Sequence, residues 1–98
     1  LKINITYLIS QKKILNLLIF MNKKKINELR EIFCKTFPNT TIPKNIEKMK
    51  IGDLDEWDSL GNLNLLLAVE EFFNVKFDVE QMSNIKSVSD IINNLDNY

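Results

Sequence analysis

Only two glycines and two prolines interrupt the 98 residues of this chain, and that scarcity restricts its fold more than any other feature. Tight hairpins need residues that tolerate positive φ or preset a turn, and few positions here can supply them. What remains is rich in Ile, Leu, Lys, Asn and Glu, so an all-α chain is predicted. With 45% apolar residues against 27% charged, the composition is that of one ordinary globular domain with a modest core.

The first twenty residues stand apart. The chain opens on Leu1, Met21 is the first methionine, and the apolar runs Tyr7 to Ile9 and Ile14 to Phe20 are split by Lys12 and Lys13. Neither run reaches the roughly 20 consecutive apolar residues that a bilayer-spanning helix needs, so no membrane span is expected. No small-residue cleavage site of a secretory signal follows the second run. Residues 1–20 are therefore read as an appended or upstream-encoded N-terminal extension, helical from about Thr6 to Phe20, whose apolar content invites packing against another molecule. The folded domain is expected over residues 21–98, as a monomer unless the extension mediates association.

Within that domain Ile26, Leu29, Ile32, Phe33 and Phe37 gather on one helical face, with Lys25, Glu28, Arg30 and Glu31 outside. Pro38 and Pro43 bracket Asn39-Thr40-Thr41, which ends this helix and opens a long connection to Asp58. A loop of that length must pack by its own side chains or serve a function, and Ile46, Met49, Ile51, Leu54 and Trp57 can supply the packing. A second helix of about four turns is predicted from Ser59 to Phe73. Asp78-x-x-Gln81 has the capping-box pattern, and Ser87-x-x-Asp90 pairs a Ser cap with a first-turn acid. These start a short third helix and a fourth, in which Val88, Ile91, Ile92 and Leu95 recur at i, i+3, i+4 and i+7. Four helices with a long first loop result.

Thirteen basic and thirteen acidic residues cancel overall but are unevenly placed. Residues 51–98 hold ten acids against Lys76 and Lys86, a net charge of −8, which repels nucleic acid and attracts basic protein surfaces. Cys34, the one cysteine, excludes an internal disulfide; it suits a small half-buried thiol beside Phe33 and fits a reducing cytoplasm. Histidine is absent, which removes the commonest general base and metal ligand. Neither catalysis nor a metal site is expected of this chain.

Trp57-Asp58-Ser59-Leu60, followed by Leu63, Leu66, Val69, Glu70-Glu71 and Phe73, resembles the signature around the modified serine of acyl carrier proteins. The resemblance extends over roughly Ile26 to Leu95. An Asp-Ser-Leu tripeptide alone recurs by chance, and its weight here comes from opening the second helix after a long acidic loop. The resemblance implies a four-helix acyl-carrier-like bundle in which Ser59 bears a 4'-phosphopantetheine arm. A phosphopantetheinyl transferase would attach the arm from coenzyme A, and its terminal thiol would carry an acyl thioester between a loading ligase and acyl-transferring enzymes. A helix start is a physically apt place for the phosphodiester, because unpaired N–H groups and the positive dipole end favour negative charge.

Asp58 reads in two ways: as the helix cap, worth about 1 kcal/mol, and, by the family parallel, as a carboxylate that helps the transferase and its divalent ion engage Ser59. At about 100° per residue, Leu65, Leu66, Val69, Phe72 and Phe73 share an arc expected to meet the core. Leu60, Leu63 and Leu67 form a second arc beside Ser59, bordered by Asn64, Glu70 and Glu71. This arc is either extra core contact beneath the loop or a partner-docking surface, the role the resemblance assigns to it. Asp53, Asp55 and Glu56 add to the attraction for a basic enzyme surface.

Departures from the family pattern narrow the pathway. Carriers of general fatty-acid synthesis are acidic in the first half of this helix, whereas Gly61, Asn62 and Asn64 are uncharged, which points to a specialised pathway with its own loading enzyme. Peptidyl carriers usually place a Gly-Gly pair where this chain has Glu56-Trp57. The acidic-basic-tryptophan segment of D-alanyl carriers does not occur in Asp78 to Ile85. Acyl and aminoacyl cargo both remain open, with Leu65, Val69, Phe73 and Ile85 expected to line an acyl chain between the helices. The alternative of another class is an unmodified helical adaptor that binds a fixed partner through Leu60, Leu63 and Leu67.

Overall fold

One helix of 32 residues, α1 (Ile5–Thr36), dominates the computed structural model, which describes residues 5–98. The helix runs through residues 20 and 21, where the extension is expected to meet the domain, without interruption. No proline or glycine lies between Ile5 and Thr36, and Asn22 with Lys23 to Lys25 continues the helix without cost enough to end it. The first four residues of the expected extension, Leu1 to Asn4, lie outside the described residues.

Only the C-terminal third of α1 enters the core. Leu29, Ile32 and Phe33 are buried on one side of it, and Ile26 packs against their edge. Cys34 is exposed, not half-buried as its neighbour suggested, because one residue beyond Phe33 the helix has turned about 100° away from the core. Phe37 follows the last turn and is buried. Arg30 then fastens the chain where it leaves the helix, donating to the carbonyls of Ile42 at 2.9 Å and Pro43 at 3.0 Å.

The long connection, residues 37–58, packs as the sequence requires. Ile42, Ile46, Met49 and Trp57 are buried, with Ile51 and Leu54 against them. Its backbone polar groups are satisfied partly within the loop, where Trp57 N–H reaches Leu54 C=O and Gly52 N–H reaches Trp57 C=O. Others pair with the segment ahead of the last helix: Ile51 N–H donates to Lys86 C=O at 2.8 Å and Val88 N–H to Met49 C=O at 3.0 Å. This exchange is the isolated antiparallel bridge Lys50–Ser87. Gly52 has φ +95°, where a side chain would be strained.

Helix α2 (Ser59–Phe73) begins and ends where the sequence places it. It stops at Asn74, a left-handed residue with φ 53° whose N–H closes on Glu70 C=O. Helix α3 (Val79–Asn84) starts on the Asp78–Gln81 capping box and α4 (Val88–Leu95) on the Ser87 cap. Val88, Ile91 and Leu95 seal the core from the α4 side. The described residues thus form an all-α chain of four helices with a long first loop and a short third helix.

Candidate functional site

Trp57 is the largest fully buried side chain and fixes where α2 can start. Its ring meets Phe33 edge-on, centroids 4.9 Å apart at 82°, a favoured aromatic geometry. Its indole N–H needs a partner in that dry setting and donates to Asn62 Oδ1 at 3.0 Å. The Asn62 amide N–H2 then donates to Ile85 C=O at 2.8 Å, which ties the first turn of α2 to the start of the α3–α4 connection.

Gly61 adds a second constraint. A Cβ at this position would lie 2.1 Å from the Glu56 carbonyl oxygen, so only glycine lets the helix start approach the loop so closely. Glu56 is held there in turn, accepting a hydrogen bond from the Thr40 hydroxyl. Asp58 follows in extended conformation, φ −99° and ψ −166°, and its carboxylate accepts from Gly61 N–H at 2.8 Å. The Asp58 carbonyl takes the N–H of Asn62 at 2.7 Å.

Ser59 is the first residue of α2 and is exposed. With Gly61 and Asn62 served by Asp58, the N–H groups of Ser59 and Leu60 are unpaired among the described residues, as is the Ser59 hydroxyl. An accessible hydroxyl therefore stands at the positive end of a four-turn helix, on a loop held in place by a buried tryptophan. That arrangement suits a phosphate ester. Among the described residues no side chain hydrogen-bonds the Ser59 hydroxyl; the neighbouring Asp58 carboxylate accepts from Gly61 N–H instead, and the sequence has no histidine.

The second arc of α2 lies opposite its buried one. Leu60, Leu63 and Leu67 are 69%, 44% and 49% exposed, so they contribute no core beneath the loop. Asn64 and Glu71 border them in solvent. Glu70 faces another duty: half-buried, it accepts from Phe77 N–H at 2.7 Å and organises the turn into α3. On the core arc Leu65, Leu66 and Val69 are buried and Phe73 is partly so. Phe72 departs from the expectation, at 47% exposed. It sits in the last turn on the rim of the α1–α2 groove, where Ile32, Lys35 and Ala68 line a shallow cleft with it.

Two residues at the site are absent from the candidates drawn from sequence: Gly61 as a steric necessity and Asn62 as a buried latch. The second carries a visible signal, because Asn62, Leu65, Leu66 and Val69 occupy i, i+3, i+4 and i+7 of one face. A polar residue at the centre of an apolar arc implies a buried hydrogen-bond partner. Leu65, Val69 and Ile85 are fully buried, and the clefts of about 350–380 Å³ on the surface lie elsewhere, along α1. Among the described residues no group of three His, Cys, Asp or Glu side chains could hold a metal ion, and no helix is long and apolar enough to cross a membrane.

No protein-family model, curated protein or solved structure matches this chain.

Proposed function

We propose that this chain is a non-catalytic carrier in which Ser59 accepts a 4'-phosphopantetheine arm and presents an acyl thioester to partner enzymes. The observation that carries the reading is the exposed Ser59 hydroxyl at the first residue of α2, directly after the capping Asp58. A transferase can reach this oxygen and supply the base that takes its proton. The Ser59 oxygen then forms the new bond to phosphorus as the pyrophosphate linkage of coenzyme A breaks, and adenosine 3',5'-bisphosphate leaves with the electron pair of the broken P–O bond. The unpaired amides of Ser59 and Leu60 favour the resulting negative phosphodiester. Once attached, the arm supplies a thiol for thioester chemistry; this chain contributes its placement.

Leu60, Leu63 and Leu67 supply the apolar centre of a docking surface beside that serine, with Glu71 and Asn64 on its rim. Weak, salt-sensitive association with a basic partner surface fits a carrier that must be released after each transfer. The exposed, uncharged Asn64 in the first half of α2 points to a loading ligase of a specialised biosynthetic pathway rather than to general fatty-acid synthesis. An aminoacyl group would be carried by the same chemistry. A cytoplasmic setting, where coenzyme A and the transferase meet the chain, belongs to this reading.

Incubation of the folded chain with coenzyme A, a divalent cation and a broad-specificity transferase is expected to add one arm by intact mass, and none to Ser59→Ala. An unchanged wild-type mass would overturn the carrier reading and favour an adaptor using Leu60, Leu63 and Leu67. Such an adaptor would bind its partner equally well with Ser59→Ala and through a large, salt-insensitive interface.

A further inference from the structure

Asn62 is the one buried polar side chain among the described residues, and both ends of its amide are in use. It stands about one turn beyond Ser59 on the inward face of α2, ahead of Leu65, Leu66 and Val69. A chain led from Ser59 along that face toward the core meets the Trp57–Asn62–Ile85 hydrogen bonds before it reaches Leu65. The approach from the modified serine to the apolar interior is therefore crossed by a polar latch.

Both walls of that approach are fixed. On one side Gly61 already lies so near the Glu56 carbonyl that a Cβ would be 2.1 Å from it, so the first turn of α2 has no room to move toward the loop. On the other, the segment holding Ile85 is bonded to the loop through Ile51 N–H to Lys86 C=O and Val88 N–H to Met49 C=O. Ile85 N–H also closes the end of α3 on Gln81 C=O. Opening a passage here breaks buried hydrogen bonds, and each polar group left unpaired in the core is costly. Against that, every methylene taken in shifts the equilibrium only about fourfold. A short chain gains too little to open the latch, and a polar one has nothing to gain. A long alkyl chain would gain more, but the space it needs is filled by Leu65, Leu66, Val69 and Ile85, each 1% exposed or less.

We propose that the Trp57–Asn62–Ile85 latch closes the bundle to the cargo, so that the acyl group on the Ser59 arm stays in water and belongs to the short or polar class, aminoacyl groups included. This inference rests on the carrier reading and goes beyond it by naming the chemistry of the cargo. A long alkyl group held outside the bundle would keep its apolar surface in water, which the hydrophobic effect disfavours; a short or polar group bears no such penalty. Asn62 is then a specificity-determining residue, and Leu65, Val69 and Ile85 are core rather than the lining of an acyl chain.

The test loads the full chain from coenzyme A and from its glycyl, acetyl and octanoyl thioesters with a broad-specificity transferase, confirms each product by intact mass, and compares their nuclear magnetic resonance spectra. A chain that accepts no arm overturns the carrier reading and this inference with it. In the loaded proteins the Trp57 indole N–H, the Asn62 amide and the Leu65 and Ile85 methyl signals are expected to keep the positions they have with the bare arm. Octanoyl-dependent shifts at those positions overturn the inference and leave the carrier reading standing. Octanoyl-dependent shifts confined to Leu60, Leu63 and Leu67 place a long chain on the exposed arc and overturn the limit to short or polar cargo. Asn62→Ala is expected to admit the octanoyl chain and to shift the Leu65 and Ile85 signals, with the near-ultraviolet signal of Trp57 reporting an intact fold. Unchanged signals in that folded variant overturn the role of Asn62, and if the variant does not fold the wild-type comparison decides.

Discussion

The indole N–H of Trp57 donates to Asn62 Oδ1 across 3.0 Å inside the core, and the Asn62 amide donates on to Ile85 C=O, so one side chain links the loop, α2 and the α3–α4 connection. Trp57 is fully buried and Asn62 nearly so, which makes both ends of the link costly to leave unpaired. Asn62→Leu keeps the apolar arc continuous yet strands the indole N–H and the Ile85 carbonyl. Each stranded group costs about 1–3 kcal/mol, so urea unfolding should show a loss of roughly 2–6 kcal/mol. A loss below about 0.5 kcal/mol, the range of neutral surface changes, would mean that water or a shifted side chain replaces the amide.

Gly61→Ala pits helix propensity against space. Alanine in a helix is favoured over glycine by about 1 kcal/mol, so propensity alone predicts a gain. Here the added Cβ would meet the Glu56 backbone oxygen at 2.1 Å, and backbone cannot yield as a flexible side chain would. Net destabilisation of about 1–3 kcal/mol is expected, with the loop end displaced and Ser59 modified more slowly. A stabilised Gly61→Ala protein would refute this account of the close approach.

Asp58 can be divided into its two suggested roles. Asp58→Ala removes the bond to Gly61 N–H and should cost about 1 kcal/mol. Asp58→Asn caps nearly as well but lacks the charge that a transferase and its divalent ion would read. Its stability should therefore stay within about 0.5 kcal/mol of wild type, while its rate of phosphopantetheine transfer falls. Equal transfer rates for Asn and Asp at this position would reduce the carboxylate to a cap.

Much of this architecture was legible in the residues themselves because the signals are local. Asp58, Asp78 and Ser87 each bond an N–H three residues on, which a pattern of caps and apolar periodicity encodes without reference to the rest of the chain. The opposed arcs of α2 follow likewise from 100° per residue. Position 61 could not be read in this way, because its need for glycine arises from a carbonyl five residues earlier that only the folded loop brings near. Asn62 was half-legible: its place on an apolar face announced a partner, but that partner, Ile85 C=O, lies 23 residues away.

The sequence by itself determined four helices, their caps and the exposed serine that opens the second one, since short-range hydrogen bonding and side-chain period depend on near neighbours. Tertiary structure alone decided that Glu70 serves the α2–α3 turn and that Phe72 stays half outside. Each of those outcomes depends on which surfaces meet once the chain has closed on itself, and burial is a property of that meeting rather than of any one segment.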